Sequence, residues 1–274
     1  MNMNTFHSGN YISQGDYTSF SPTLINRSWR WNDAELNILL EQASSELGSL
    51  NAFSDLIPNI DIYIRMHIKT EANKSNNNDM LKIEINYSLR TYLLPAEDIA
   101  PEKRDDQQEV RNYIKALNYG IKRILGDDFP LCNRLICEIH KLLLSGVRGK
   151  YKTPGEIRKS QNWIGGSKPS DAVYVPPSII ELPDLMSDFE KFINTDDWNV
   201  PNLIKIAILH YQFETIHPFL DGNGRIGRLI IPLYLLDKNM LSKPCFYISD
   251  FFEKHRTEYY DALNRVRLNN DLIG

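Results

Sequence analysis

One stretch constrains this chain more than any other: Ile216 to Pro232, IHPFLDGNGRIGRLIIP, glycine-rich at its centre and apolar at both ends. Gly222-Asn223-Gly224-Arg225-Ile226-Gly227 matches G-x-G-x-x-G, the turn that holds dinucleotides. That turn belongs between a strand and a helix, inside alternating β and α units. Here the preceding apolar residues, Leu203, Ile206, Ala207, Leu209, His210 and Phe213, recur at helical spacing, and few strand patterns stand elsewhere. The stretch therefore reads as a loop between two helices, and a Rossmann fold is not expected.

The chemistry of such a loop survives without that fold. Glycines after a helix expose successive backbone N–H groups, and the next helix directs its positive end at the same point, which makes a nest for phosphate. Arg225 and Arg228, one turn apart, present two guanidiniums to such an anion. Asp221 and Asn223 carry oxygens suited to Mg2+. His217 is the nearby group able to take a proton near neutral pH. Singly, each of these residues fits an ordinary turn, with glycine ending one helix and Asp or Asn capping the next. Base, metal oxygens, anion nest and paired arginines together exceed what a turn requires.

The rest of the chain sets the frame. Its 274 residues suffice for a substantial core, and a formal charge of −4 argues against nucleic-acid binding through bulk charge. Cys132, Cys137 and Cys245 are too scattered for a disulfide framework or a thiolate metal site, which favours a reducing, cytoplasmic setting. The first residues, MNMNTFHSGNYISQGDYTSF, carry no export pattern, and the apolar runs fall far short of the roughly 18 residues of a membrane span. Residues 1–32 have no period and read as an arm on a partner surface or a partly disordered segment. Helical spacing predicts helices over Ala34 to Leu50, in the segment after Pro58, and over Glu109 to Leu125 and Leu131 to Gly146. It predicts others over Leu182 to Asn194, Pro201 to Thr215, Arg225 to Lys238 and Phe252 to Arg267. Residues 146–180 read as a long ordered loop with a small hairpin at the β-like AVYV, closed by Pro176 and Pro177.

HPFLDGNGRIGR resembles the Fic (filamentation induced by cAMP) signature H-P-F-x-D/E-G-N-G-R-x-x-R at every fixed position. GEIRKSQNWIGG, YVPP, LHYQFETIHPF and AEDIAPEKRDDQQEVRNYIKAL also resemble family segments, so the likeness runs from Ala34 to the C-terminus. The resemblance implies an all-α bundle with a small β-hairpin flap and an N-terminal helical extension. Arm, extension and catalytic domain then occupy residues 1–32, 33–105 and 106–274. It implies a protein adenylyltransferase that moves AMP from Mg-ATP to a Ser, Thr or Tyr hydroxyl of a target protein or of itself. The alternatives are another nucleotide, phosphotransfer, AMP removal, or an idle helical interaction module.

Carried over by position, His217 deprotonates the incoming hydroxyl, and Asp221 with Asn223 serves Mg2+. The backbone of Gly222, Asn223 and Gly224 holds phosphates, Arg225 contacts them, and Arg228 secures the γ-phosphate. Phe219 is a packing anchor, while Val173, Tyr174 and Val175 form the flap that docks the target, or an ordinary hairpin. Arg158 and Asn162 either touch substrate or fix the loop. An inhibitory [S/T]-x-x-x-E-[G/N] helix is expected between Glu71 and Leu93, but no segment matches it; Glu84 is preferred over Asp79 as the acid that reaches Arg228. The chain stops where related chains continue through another helix and often a winged-helix module. Contact with nucleic acid is therefore not read from it, nor is its oligomeric state.

Overall fold

The computed structural model describes residues 1–59, 62–63, 101–146, 151–196 and 200–273. The inhibitory candidates Glu84 and Asp79, and most of the helix expected after Pro58, lie outside them. The described helices are α1 (Ala34–Ser54), α2 (Pro101–Ile121), α3 (Asn133–Leu143), α4 (Leu182–Asn194), α5 (Asn202–Ile216), α6 (Asn223–Asp237), α7 (Ser249–Lys254) and α8 (Arg256–Asn269). The helix expected over Phe252 to Arg267 is thus broken at His255. Helix α2 runs through the boundary expected after residue 105.

The core is built around α5. From Ile204 to Ile216 every residue of this helix but Ala207 is buried, because neighbours cover it on nearly all sides. Helices α4, α6 and α1 pack on it, and α2 packs on α3 and α6. Amphipathic α3 buries Leu135, Ile136, Ile139 and Leu143, and α4 buries Leu182, Leu185, Met186, Phe189, Phe192 and Ile193. Both are the i, i+3, i+4 stripes that helical burial demands. No helix among the described residues is long and apolar enough to cross a membrane.

Residues 1–32 lie on the chain's own body. Strands β1 (Gly9–Ser13) and β2 (Thr18–Pro22) form an antiparallel hairpin with Gly9 opposite Pro22. Met3, Phe6, Phe20, Ile25 and Trp29 are buried in the core. The buried Asp188 carboxylate on α4 accepts from the backbone N–H of Ile25 at 2.6 Å, and Gln212 on α5 donates to Thr23 O at 3.2 Å. The strand pair among the described residues therefore stands here. The AVYV segment makes an isolated bridge, Ile164 to Tyr174, in place of the expected hairpin.

Candidate active site at the loop between two core helices

Helix α5 ends at His217, whose φ of 51° and ψ of 59° are left-handed. A non-glycine residue there costs about 1–3 kcal/mol and needs its surroundings to hold it. Three bonds do so. His217 N donates to Phe213 O at 3.0 Å, and its carbonyl accepts from Arg158 Nε and Asn162 Nδ2, each at 3.0 Å. Arg158 also donates from its backbone to Pro218 O at 2.9 Å and from Nη2 to Pro177 O at 2.6 Å. Asn162 donates to Phe219 O at 2.8 Å. Both side chains are buried, so of the two roles open to them they take loop fixation.

The His217 ring is partly exposed, with Nδ1 3.4 Å from the carbonyl of Glu214. A carbonyl only accepts, so this contact selects the tautomer with its proton on Nδ1 and leaves the Nε2 lone pair to take another. Burial, aided by the fields of Arg267 and Arg158, lowers the imidazole to about 4. At neutral pH the ring is therefore uncharged, the form a base must have.

Beyond His217 the loop turns back on itself. Asn223 Oδ1 accepts from Phe219 N and its Nδ2 donates to Phe219 O, both at 2.8 Å, and the residue is 2 % exposed. Both polar atoms of the Asn223 side chain are thus engaged inside the loop, which they close. The Asp221 carboxylate is 41 % exposed, with Oδ1 accepting from Gly222 N at 2.6 Å and lying 3.7 Å from Arg225 Nη2. Gly222, with φ of 79°, starts α6, and no side chain caps that helix. The first-turn N–H groups, from Asn223 to Arg225, have no acceptor within the helix and are what an anion would meet.

Arg225 lies between two acids, Asp221 and Glu109 of α2, whose Oε2 is 3.5 Å from Nη1. Arg228 folds back over the same turn, its Nη1 3.4 Å from where a Gly224 side chain would begin. The third glycine of the sequence pattern has a different task. A Cβ on Gly227 would stand 2.3 Å from Glu214 Oε1, so this glycine makes room for a buried carboxyl. Burial raises Glu214 to about 7 against the opposing pull of Arg228 and Arg267.

The structure thus gathers His217, Asp221, Gly222, Asn223, Gly224, Arg225 and Arg228 around one helix start. Phe219 is fully buried, as a packing anchor should be. The flap lies beside them. Tyr174 donates to Thr215 O at 2.7 Å, two residues before His217, and Arg267 covers its ring at 3.9 Å. Of the three flap residues only Val173 points outward, 79 % exposed, whereas Tyr174 and Val175 are each 6 % exposed. Two side chains at the site escaped sequence reasoning, Glu109 and His140. For His140 a signal existed: a polar residue at a core position of the α3 stripe, among Ile136, Ile139 and Leu143. Among the described residues no group of three or more His, Cys, Asp or Glu is placed to hold a metal.

Comparison with known proteins agrees with this arrangement. The Fic/DOC family model matches residues 130–235, and the Fic/DOC family N-terminal model matches residues 38–122. The chain is similar to the protein adenylyltransferase Fic of Aedes aegypti, 32% identical over 161 residues, which is 58% of this chain and 29% of the relative. It is likewise similar to that of Drosophila grimshawi, 32% identical over 133 residues, 48% of this chain and 26% of the relative. It therefore spans under a third of the length of these curated relatives. A solved Fic family protein from Desulfovibrio desulfuricans G20 shares the fold with a TM-score of 0.63 at 22% identity, over 88% of this chain and 69% of that one. Fic-1 from C. elegans does so with 0.62 at 17% identity, over 87% and 67%. With both family models matched in sequence and the HPFLDGNGRIGR residues assembled around one helix start, the chain belongs to the Fic/DOC family.

Proposed function

We propose that this chain is a protein adenylyltransferase: it transfers AMP from ATP to a Ser, Thr or Tyr hydroxyl of a target protein or of itself. One observation carries the reading. A histidine held neutral at the end of α5 stands a few residues from an uncapped helix start flanked by two arginines. The relatives' shared name, protein adenylyltransferase, points the same way.

In this reading the triphosphate lies on the N–H groups of Asn223, Gly224 and Arg225, with Arg225 turned from its acids toward phosphate. Arg228 holds the γ-phosphate, which leaves the α-phosphorus facing His217. The hydroxyl oxygen bonds to that phosphorus, the bond from it to the bridging oxygen of the β-phosphate breaks, and pyrophosphate leaves. The hydroxyl proton passes to His217 Nε2. Such transfer depends on positioning and charge neutralisation more than on covalent help from protein groups. Mg2+ suits the half-exposed Asp221 carboxylate, since this ion takes one or two carboxylates and completes its shell with phosphate oxygens and water. When bound it would offset the negative charge of the phosphates. Val173 is the flap residue available to a target, and the cytoplasm is the setting we infer.

The test is incubation with α- or γ-labelled ATP and Mg2+. Label on protein from the α position alone supports adenylyl transfer, whereas label from the γ position would establish phosphotransfer in its place.

A further inference from the structure

His140 is completely buried on α3, and every polar atom of its ring is used. Gly155 N donates to Nδ1 at 2.8 Å, so Nδ1 carries the lone pair and the proton sits on Nε2. Nε2 then donates to the carbonyl of Asp221 at 2.9 Å. The ring stacks on Phe219, with centroids 3.8 Å apart and planes 11° from parallel. Its edge also lies 3.5 Å from where a side chain on Gly222 would begin. One side chain, distant in sequence, thus touches two residues of the loop, Phe219 and Asp221, and ties them to the backbone at Gly155.

We propose that His140 is a positioning residue for the nucleotide loop: it fixes the Asp221 peptide, and with it the direction of the Asp221 carboxylate and of the amides that begin α6. The inference rests on the reading of this loop as the Mg-nucleotide site. Asn223 closes the loop from inside and Arg158 with Asn162 holds its first half, but among the contacts named here His140 is the one that grips the Asp221 carbonyl from outside the loop. Apolar packing alone would be served by a phenylalanine. The two hydrogen bonds, which fix one tautomer, would not.

Two variants separate the roles. His140→Phe keeps a ring to stack on Phe219 and removes both hydrogen bonds, and His140→Gln keeps one donor and one acceptor. Three measurements are made on the full chain: melting temperature, ATP affinity with and without Mg2+, and deuterium uptake of peptides spanning residues 217–228. For His140→Phe we expect a folded protein, at least tenfold faster exchange confined to this loop, and loss of most of the strengthening of ATP binding that Mg2+ gives the parent chain. His140→Gln should recover a substantial part of both. Loop exchange and Mg2+ response equal to the parent in His140→Phe would overturn the proposal. So would a lowered melting temperature with uniformly faster exchange in both variants, because that is the behaviour of a merely structural residue. If the parent chain binds ATP with no help from Mg2+, the nucleotide-site reading fails by itself, and the exchange data still decide whether His140 positions the loop.

Discussion

The loop from His217 to Arg228 and the segment from Trp163 to Val175 are both irregular connections beside the same helix end, yet they are held in opposite ways. In the first, backbone carbonyls at His217, Pro218, Phe219 and Asp221 are all engaged, by Arg158, Asn162, Asn223 and His140. In the second, backbone bonds are sparser: the bridge between Ile164 and Tyr174 with its bond from Val173 N, the turn from Lys168 to Asp171, and one bond from Phe20 N to Val175 O at 2.9 Å, while Val173 stands 79 % exposed. The difference matches the two tasks proposed. Transfer chemistry gains from atoms fixed before substrate arrives, since small misplacements cost rate steeply. A surface for a protein target needs only an accessible edge and side chain.

The sharpest way to break this contrast is His217→Ala. It should lower label transfer by roughly 10²- to 10⁴-fold while ATP affinity stays within a few fold, because general-base catalysis carries about that much. Parallel collapse of binding and transfer would mean that His217 serves the loop's shape. Next is Arg158→Ala, which strips partners from buried carbonyls at His217 and Pro177. A stability loss of about 3 kcal/mol is expected, read as a drop in melting temperature of roughly 6–12 °C. A drop of a degree or less would show that the bracket is dispensable.

Acid should erode the rigid region next. His210 and His217 titrate near 4 in the folded chain against 6.5 when unfolded, so the unfolded chain takes up protons first and stability falls as pH drops from 6.5 toward 4. Glu214 acts the other way: at about 7 when folded against 4.5 unfolded, it favours the folded chain over much of the same range as pH falls. Two groups outweigh one. Denaturant titrations should give a loss on the order of 2 kcal/mol between pH 6.5 and 4.5, roughly doubled in Glu214→Gln. An unchanged slope in the variant would contradict a buried, raised Glu214.

Gly227→Ala should cost about 1–2 kcal/mol, overpacking against Glu214 offset in part by better helix propensity. In a Glu214→Ala background the same change should be neutral or stabilising. Smallest on the fold is Val173→Asp, within about 0.5 kcal/mol of the parent. ATP affinity should not move, but label on protein targets should fall severalfold if the flap docks them.

How legible all this was in the sequence follows the same divide. The bounds of α4 lie where its apolar period puts them and those of α5 within one residue, and the motif residues of the loop stand out in the sequence because they are contiguous. What holds that loop was not, because the supports come from elsewhere: His140 meets Asp221 across 81 residues, and Arg158 meets His217 across 59. Nor was the loop-closing bond of Asn223 legible, since a buried amide bonding its own loop has the same sequence appearance as one facing a metal. Residues 1–32 read as an arm on a partner surface or a partly disordered segment because their anchors, Phe6, Phe20, Ile25 and Trp29, follow no period and find their partners only in the folded body.

The most direct test of the preformed nucleotide loop is a crystal structure of His217→Ala with ATP and Mg2+. The triphosphate should lie on the amides of Asn223, Gly224 and Arg225, with both arginines on phosphate and the backbone from residue 217 to 225 unmoved from that of the nucleotide-free chain. ATP bound elsewhere, or a loop that abandons the His140, Arg158 and Asn162 bonds to receive it, would contradict the account.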